Sequence, residues 1–415
     1  MKGLKKFAIV FLILIGSGLL IYNSKIGTDI LLTEERKIED FNYLYNTIKE
    51  NYPFLEVNKR LNNVDWLSKK EEYLQKIKNT ETDDEFLMVL DDMLSELNNG
   101  HTNMITDSKQ FKFFREVYTM SKGWQKKVQL PVINNRKALA RYNVDKNQKI
   151  AVVDEGKNGE IKGVKNASVK DIEEGKIGYI RIPQMISYYN MNMDIELIDE
   201  YLDKCKDYEA MVIDIRGNGG GDSGYWMFYL LPKLINKSYT QTTYCFWKDG
   251  DLINNFIKKS KLKYENDFGE VKDLNTKPLT NLPPEVKKDF KYYCKNTIKM
   301  EPSEESINFK RSIYLLVDKG VYSSSEILAS FAKESGFATL IGETTGGDGI
   351  GSDPLLGMLP NSGYVFRFSK DMGVTSDGTC NEEFKTKPDY FVENPWVNTF
   401  EHDKCIKKVL ELEEK

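Results

Sequence analysis

Histidine is almost missing from this 415-residue chain. Only His101 and His402 occur, so any mechanism that needs an imidazole must use one of them. Cysteine is sparse too. Cys205, Cys245, Cys294, Cys380 and Cys405 are odd in number and widely spaced, and no CxxC occurs. That removes the usual signature of a zinc or redox site, and neither a metal nor a cofactor is expected. An exported chain could form one or two disulfides, with no pairing singled out. An excess of one charge is lacking: the formal net charge is −4, and acidic and basic residues interleave. There is no basic face for nucleic acid. Internal repeats and low-complexity tracts are absent. No full GxxxxGK(S/T) pattern is present, and a phosphate-binding reading is weak.

What is present is ordinary folded-protein composition, 40% hydrophobic and 29% charged, over a length that suggests two globular parts. Lys2, Lys5 and Lys6 precede an apolar run from Phe7 to Tyr22. That is the basic-then-apolar pattern of a secretory signal, and its length is short of an untilted membrane helix. No A-x-A cleavage site follows. Residues 1–28 are therefore expected to be an uncleaved signal anchor or a cleaved signal peptide, with the bulk of the chain outside the cytoplasmic membrane. Residues 33–110 read as helices, with Thr33 and Thr82 as N-caps and Asn98-Asn99-Gly100 as a stop. Residues 111–175 read as a mixed, β-rich connection that includes a strand at 148–153. From 176 to 395, short strands alternate with helices, which indicates a layered α/β domain. It carries a polar insertion at about 236–300, a candidate lid, and a helical tail follows at 396–415.

One stretch organises the rest. Ile313 to Val317 reads as a buried strand, Asp318-Lys319-Gly320 as a break, and Ser323-Ser324-Ser325 as the entry to a helix that stops at Gly336. A strand that turns sharply into a helix can lift a hydroxyl clear of the sheet, with orphan N–H groups facing a developing oxyanion. Read alone, the serines need be no more than helix caps. A second strand, Ala210 to Ile215, runs into Arg216-Gly217-Asn218-Gly219-Gly220-Gly221, where glycines let backbone approach a ligand and offer N–H groups. As a plain alternative, this is a flexible turn. His402 sits in a polar, solvated context, whereas His101 follows a helix end in a glycine-flanked turn that can aim it into a cleft.

Taken in order, DIRGNGGG (214–221), VYSSSEI (321–327), IGETTGG (341–347) and KPDY (387–390) resemble the C-terminal processing (tail-specific) peptidases, including the tricorn protease core. The likeness covers most of 176–392, and the helices ending in NNGHT resemble the front end of the histidine-using branch. It implies a crotonase/ClpP-like layered α/β catalytic domain and a serine peptidase acting on proteins or peptides. The family's serine lies three positions before the glutamate of its motif, which is Ser323. The lysine branch has its base 25 residues after the serine; position 348 here is Asp, so that dyad is absent. The histidine branch implies His101 as base and, six positions before Pro388, Glu382 as the orienting carboxylate, with Glu383 as a rival. Gly100 stands where the tricorn arrangement has a serine. The oxyanion would be held by the N–H of Ser324 with that of Gly219 or Gly220. No PDZ-like segment is seen, so recognition of a free C-terminus is not implied. Two other readings are an inactive binding or scaffold protein on the same fold and an acyl-CoA enzyme, the latter disfavoured by an exported location.

Overall fold

In the computed structural model, residues 31–145, 165–264, 267–393 and 399–414 are described. The expected signal or anchor at 1–28 and the strand expected at 148–153 lie outside them. Among the described residues, no helix is long and apolar enough to cross a membrane.

The front end is helical: α1 (Glu34–Asn51), α2 (Leu55–Asn62), α3 (Lys70–Lys78) and α4 (Asp83–Ser95). Thr33 caps α1, and Thr82 with Glu85 forms a reciprocal capping box on α4, worth about 1 kcal/mol. A two-residue strand, β1 (Asn103–Met104), follows. Residues 108–141 depart from the β-rich expectation and form α5 (Ser108–Met120), α6 (Gly123–Ile133) and α7 (Arg136–Arg141). Asp107 starts α5 by accepting from the N–H groups of Lys109 and Gln110, and Phe111, Phe114 and Tyr118 bury one stripe.

The α/β part contributes β2 (Ser168–Glu173), β3 (Ile177–Arg181), α8 (Asn192–Cys205) and β4 (Ala210–Asp214). The 236–300 region is more ordered than its polar sequence suggests. It holds β5 (Tyr239–Trp247), α9 (Asp251–Ser260), β6 (Phe268–Glu270) and β7 (Tyr292–Met300). Then follow β8 (Ser312–Val317), α10 (Ser324–Ser335), β9 (Thr339–Gly342), β10 (Leu355–Met358), β11 (Val365–Phe368), β12 (Met372–Val374), β13 (Tyr390–Phe391) and α11 (Lys404–Glu413).

The main sheet has the order β13-β9-β8-β4-β3-β2 and is parallel except for β2. Its central strands are buried apolar runs, as a sheet covered on both faces requires. The loops after β4, β8 and β9 leave from the same carboxyl edge, where open α/β sheets bind ligands. A second, antiparallel sheet runs β12-β5-β7-β6. The third, β1-β11-β10, positions the site. Asn103 pairs with Arg367 and Met104 with Phe366, so the residues just after His101 are stitched to the C-terminal third of the chain. One apolar core joins the front helices to β5, β7 and β10–β12, including Phe41, Phe86, Phe246 and Phe366.

Candidate active site

Ser323 sits between β8 and α10 at φ 57°, ψ −124°, a backbone conformation that costs a non-glycine residue about 1–3 kcal/mol. Its side chain makes no capping hydrogen bond, so the capping explanation does not describe it. The other two serines of the run are buried and committed. Ser324 Oγ accepts from Ser223 Oγ (3.0 Å), and Ser325 Oγ donates to Asn218 Oδ1 (2.7 Å). Of the three hydroxyls, Ser323 is the half-buried one.

The glycine loop lies directly against it. A Cβ on Gly220 would fall 2.8 Å from Ser323 Cβ and 2.9 Å from the Ser324 nitrogen, and φ there is +99°. Only glycine allows this approach. Asn218 braces the loop: its Nδ2 donates to the Ile182 carbonyl (2.9 Å), and its Oδ1 accepts from the Gly220 N–H (3.0 Å). The Gly220 N–H is thereby occupied, whereas Gly219 is exposed. Asp318 ties the two loops by accepting from the N–H groups of Gly217 and Gly320.

His101 arrives from the front end. Its ring lies 4.9 Å, centroid to centroid, from that of Tyr322, the residue immediately before Ser323. A Cβ on Gly100 would come within 3.2 Å of the Tyr322 ring, so a serine there would crowd this contact. The His101 carbonyl accepts from Arg367 Nε (3.1 Å), next to the β1–β11 pairing. His101 Nδ1 lies 2.9 Å from Asp348 Oδ2. That oxygen also accepts from Asn99 Nδ2 (2.7 Å), Ser369 Oγ (2.7 Å) and the Tyr322 hydroxyl (3.3 Å). The ring is held at Nδ1, which leaves Nε2 for proton transfer.

The contact with the imidazole is made by Asp348, not by Glu382, the acid that the resemblance implied. Glu382 reaches the cluster one step removed, its Oε1 accepting from the same Asn99 Nδ2 (3.2 Å). Glu383 points elsewhere and forms a two-pronged pair with Arg60 (2.8 and 2.7 Å). His402 is exposed in the turn before α11. Sequence reasoning noted Asp348 only as the residue standing in the lysine's place, and missed Asn99, Tyr322, Ser369 and Arg367. An acid at that position, in a turn rich in glycine, was the one available signal.

The family model for peptidase family S41 matches residues 176–392, just over half of the chain. The chain belongs to peptidase family S41. A second model, the tricorn protease C1 domain, matches residues 33–95 of this S41 peptidase. Among solved structures, a Parabacteroides merdae protein assigned as a peptidase is 21% identical with a TM-score of 0.56, covering 91% of this chain and 97% of that one. Mature CPAF, solved with lactacystin, is 13% identical with a TM-score of 0.53, covering 86% and 93%. At these identities the likeness is one of fold. No curated protein sequence matches.

Two buried carboxylates of this S41 peptidase are driven apart electrostatically. Burial alone would raise Asp348, but the His101 ring and the donors around Oδ2 outweigh it and hold it well below the usual carboxylate range. Glu382 is pushed the other way, first by burial and then by the negative charge of Asp348. Its Oε2 has no hydrogen-bond partner, and Lys385 Nζ stays 3.8 Å away. One acid ionised and its neighbour protonated is the pattern that assigns separate roles to a pair. Glu326, the glutamate of the serine motif, is fully buried and works as a brace. It accepts from Asn381 Nδ2 (2.6 Å) and Thr386 Oγ1 (2.7 Å), while Asn381 Oδ1 accepts from the Gly349 N–H (3.1 Å). The turns that carry Asp348 and Glu382 are thus tied to the helix that carries the serine.

Proposed function

The chain is a serine-type peptidase by family; we propose that it is an endopeptidase working through Ser323, His101 and Asp348. Ser323 Oγ attacks the peptide carbonyl while His101 Nε2 takes its proton. Asp348 fixes the Nδ1–H tautomer and stabilises the imidazolium. The N–H groups of Ser324 and Gly219 receive the oxyanion, on the positive end of α10. His101 then protonates the leaving amine, and water releases the acyl group by the same steps in reverse. Glu382 stays protonated and acts through Asn99, whose amide bridges both carboxylates. The observation that carries this reading is the 2.9 Å contact between His101 Nδ1 and Asp348, on a ring packed against the neighbour of a strained serine.

Ser323→Ala and His101→Ala should each lower turnover on unfolded casein by on the order of a millionfold. A fluorophosphonate should label Ser323; label on Ser324, or casein cleavage surviving Ser323→Ala, would reject the assignment. The basic residues Lys2, Lys5 and Lys6 before an apolar run support an extracytoplasmic site of action, by anchor or by secretion. Protease shaving of intact cells should release the catalytic part, and recovery of the chain with the cytosol would refute that location.

A further inference from the structure

Beside the catalytic cluster is a cavity of 680 Å³, within the range of ligand sites. Three segments of the site each send one apolar side chain into its wall. Met227 follows the glycine loop, Ile327 lies one helical turn beyond Ser323, and Ile350 is two residues past Asp348. The opposite wall is one face of β5, since the alternating residues Gln241, Thr243, Cys245 and Trp247 all border the cavity. Six residue steps of strand span about 20 Å. A volume of 680 Å³ spread over that length leaves a cross-section of roughly 34 Å², the shape of a channel rather than a single side-chain pocket.

Its walls are preformed. The rings of Trp124 and Phe256 pack edge to face at 5.0 Å, and the buried Lys370 ammonium lies 4.7 and 4.9 Å from their centroids.

We infer that this channel holds an extended, apolar segment of the substrate polypeptide beside the scissile bond. The proposal rests on the peptidase reading for the identity of the occupant. It gives the 236–300 region a purpose, since that region builds most of the channel wall.

The test uses the wild-type enzyme and two series of quenched peptides that share a cleavage site and differ in a six-residue flank, Leu/Val/Phe-rich or Ser/Asn-rich. The apolar flank should lower KM about tenfold or more with little change in kcat. Thr243→Trp, which plugs the middle of the channel, should abolish that difference while a short peptide without either flank is cleaved as before. Asn296→Phe, beside Thr243 on the paired strand β7, provides a second plug if the first variant folds poorly. Equal KM values for both flanks, or a preference that survives both plugs, would overturn the channel. An independent arm titrates the apolar peptide into Ser323→Ala protein and reads tryptophan fluorescence, because Trp124 and Trp247 line the channel. Saturable quenching lost in Thr243→Trp supports the proposal, and no quenching sinks it. If wild type cleaves no peptide at all, the peptidase reading fails while this binding arm still decides the channel.

Discussion

Replacing Asp348 by Asn separates the two carboxylates cleanly. Asp348 Oδ2 accepts from Asn99, Ser369, Tyr322 and His101 together, so three donors besides the imidazole favour an oxygen at that spot. An asparagine should therefore present its carbonyl oxygen to His101 and keep the Nδ1–H tautomer. What it loses is the charge. Two unit charges about 4 Å apart at an effective dielectric near 20 attract by about 4 kcal/mol. The neutral hydrogen bond that remains returns about 1 kcal/mol. A net loss of about 3 kcal/mol in stabilising the imidazolium corresponds to a drop in kcat on the order of a hundredfold. If the amide flips and donates to Nδ1 instead, the wrong tautomer costs about ten-thousandfold. Glu382→Gln should behave differently, because glutamine mimics the protonated acid that the site already holds, and the loss should stay under about tenfold. The assay is hydrolysis of a quenched peptide, normalised to the fraction of enzyme that a fluorophosphonate titrates, with melting curves to exclude unfolding. Activity of Asp348→Asn within tenfold of wild type, or an equal loss in Glu382→Gln, would refute the assignment and return the orienting role to Glu382.

Stability should carry the mark of the raised Glu382. Its proton stays on in the folded chain where the unfolded chain has released it, so the folded state binds more protons and stability falls as pH rises through that window. Glu382→Gln lacks this penalty; relative to wild type it should gain on the order of 2 kcal/mol between about pH 5 and 7, read by urea melts at each pH. A difference that stays flat with pH would mean the carboxyl is not protonated in the fold. Gly220→Ala should abolish activity and lower stability, since the new methyl would meet Ser323 Cβ at 2.8 Å in a left-handed backbone conformation. Wild-type activity in that variant would show that the loop does not press on the serine.

What could be read from the sequence was local. β8, the turn and α10 follow one another within two dozen residues, and both the apolar run and the helical stripe are continuous there. Thr33, Thr82 and the Asn-Asn-Gly stop are side-chain and backbone rules acting over three or four residues. The three helices of 108–141 were missed although Asp107 is a good cap, because α6 opens on Gly123, contains Pro131 and has little amphipathic contrast. There, packing against α5 and the C-terminal strands overrides propensity. The β5 and β7 strands alternate, but the threonines of β5 and the exposed Lys295 and Lys299 of β7 masked the pattern. The contact between His101 and Asp348 was illegible for a stronger reason. Which acid meets His101 depends on a pairing across more than 260 residues and on Asp348 holding φ at 45°, neither of which is written in any short window.

That pairing also explains why the helical front end is not an appendage to the catalytic sheet. A loop histidine on a separately folded unit would sample many positions, and a misplacement of about 1 Å can cost a hundredfold in rate. Here Asn103 and Met104 are hydrogen-bonded to β11, and Arg367 reaches from β11 to the His101 carbonyl while its guanidinium lies 5.2 Å from the Phe114 ring. Asn99 spans the last gap, donating to Asp348 and Glu382 while its own oxygen accepts from the N–H of His101 and the hydroxyl of Thr102. The imidazole is thus fixed from the front end, from β11 and from the turn after β9. The shared core beneath these segments means that the imidazole can be in place only when the front helices and the C-terminal strands have folded together.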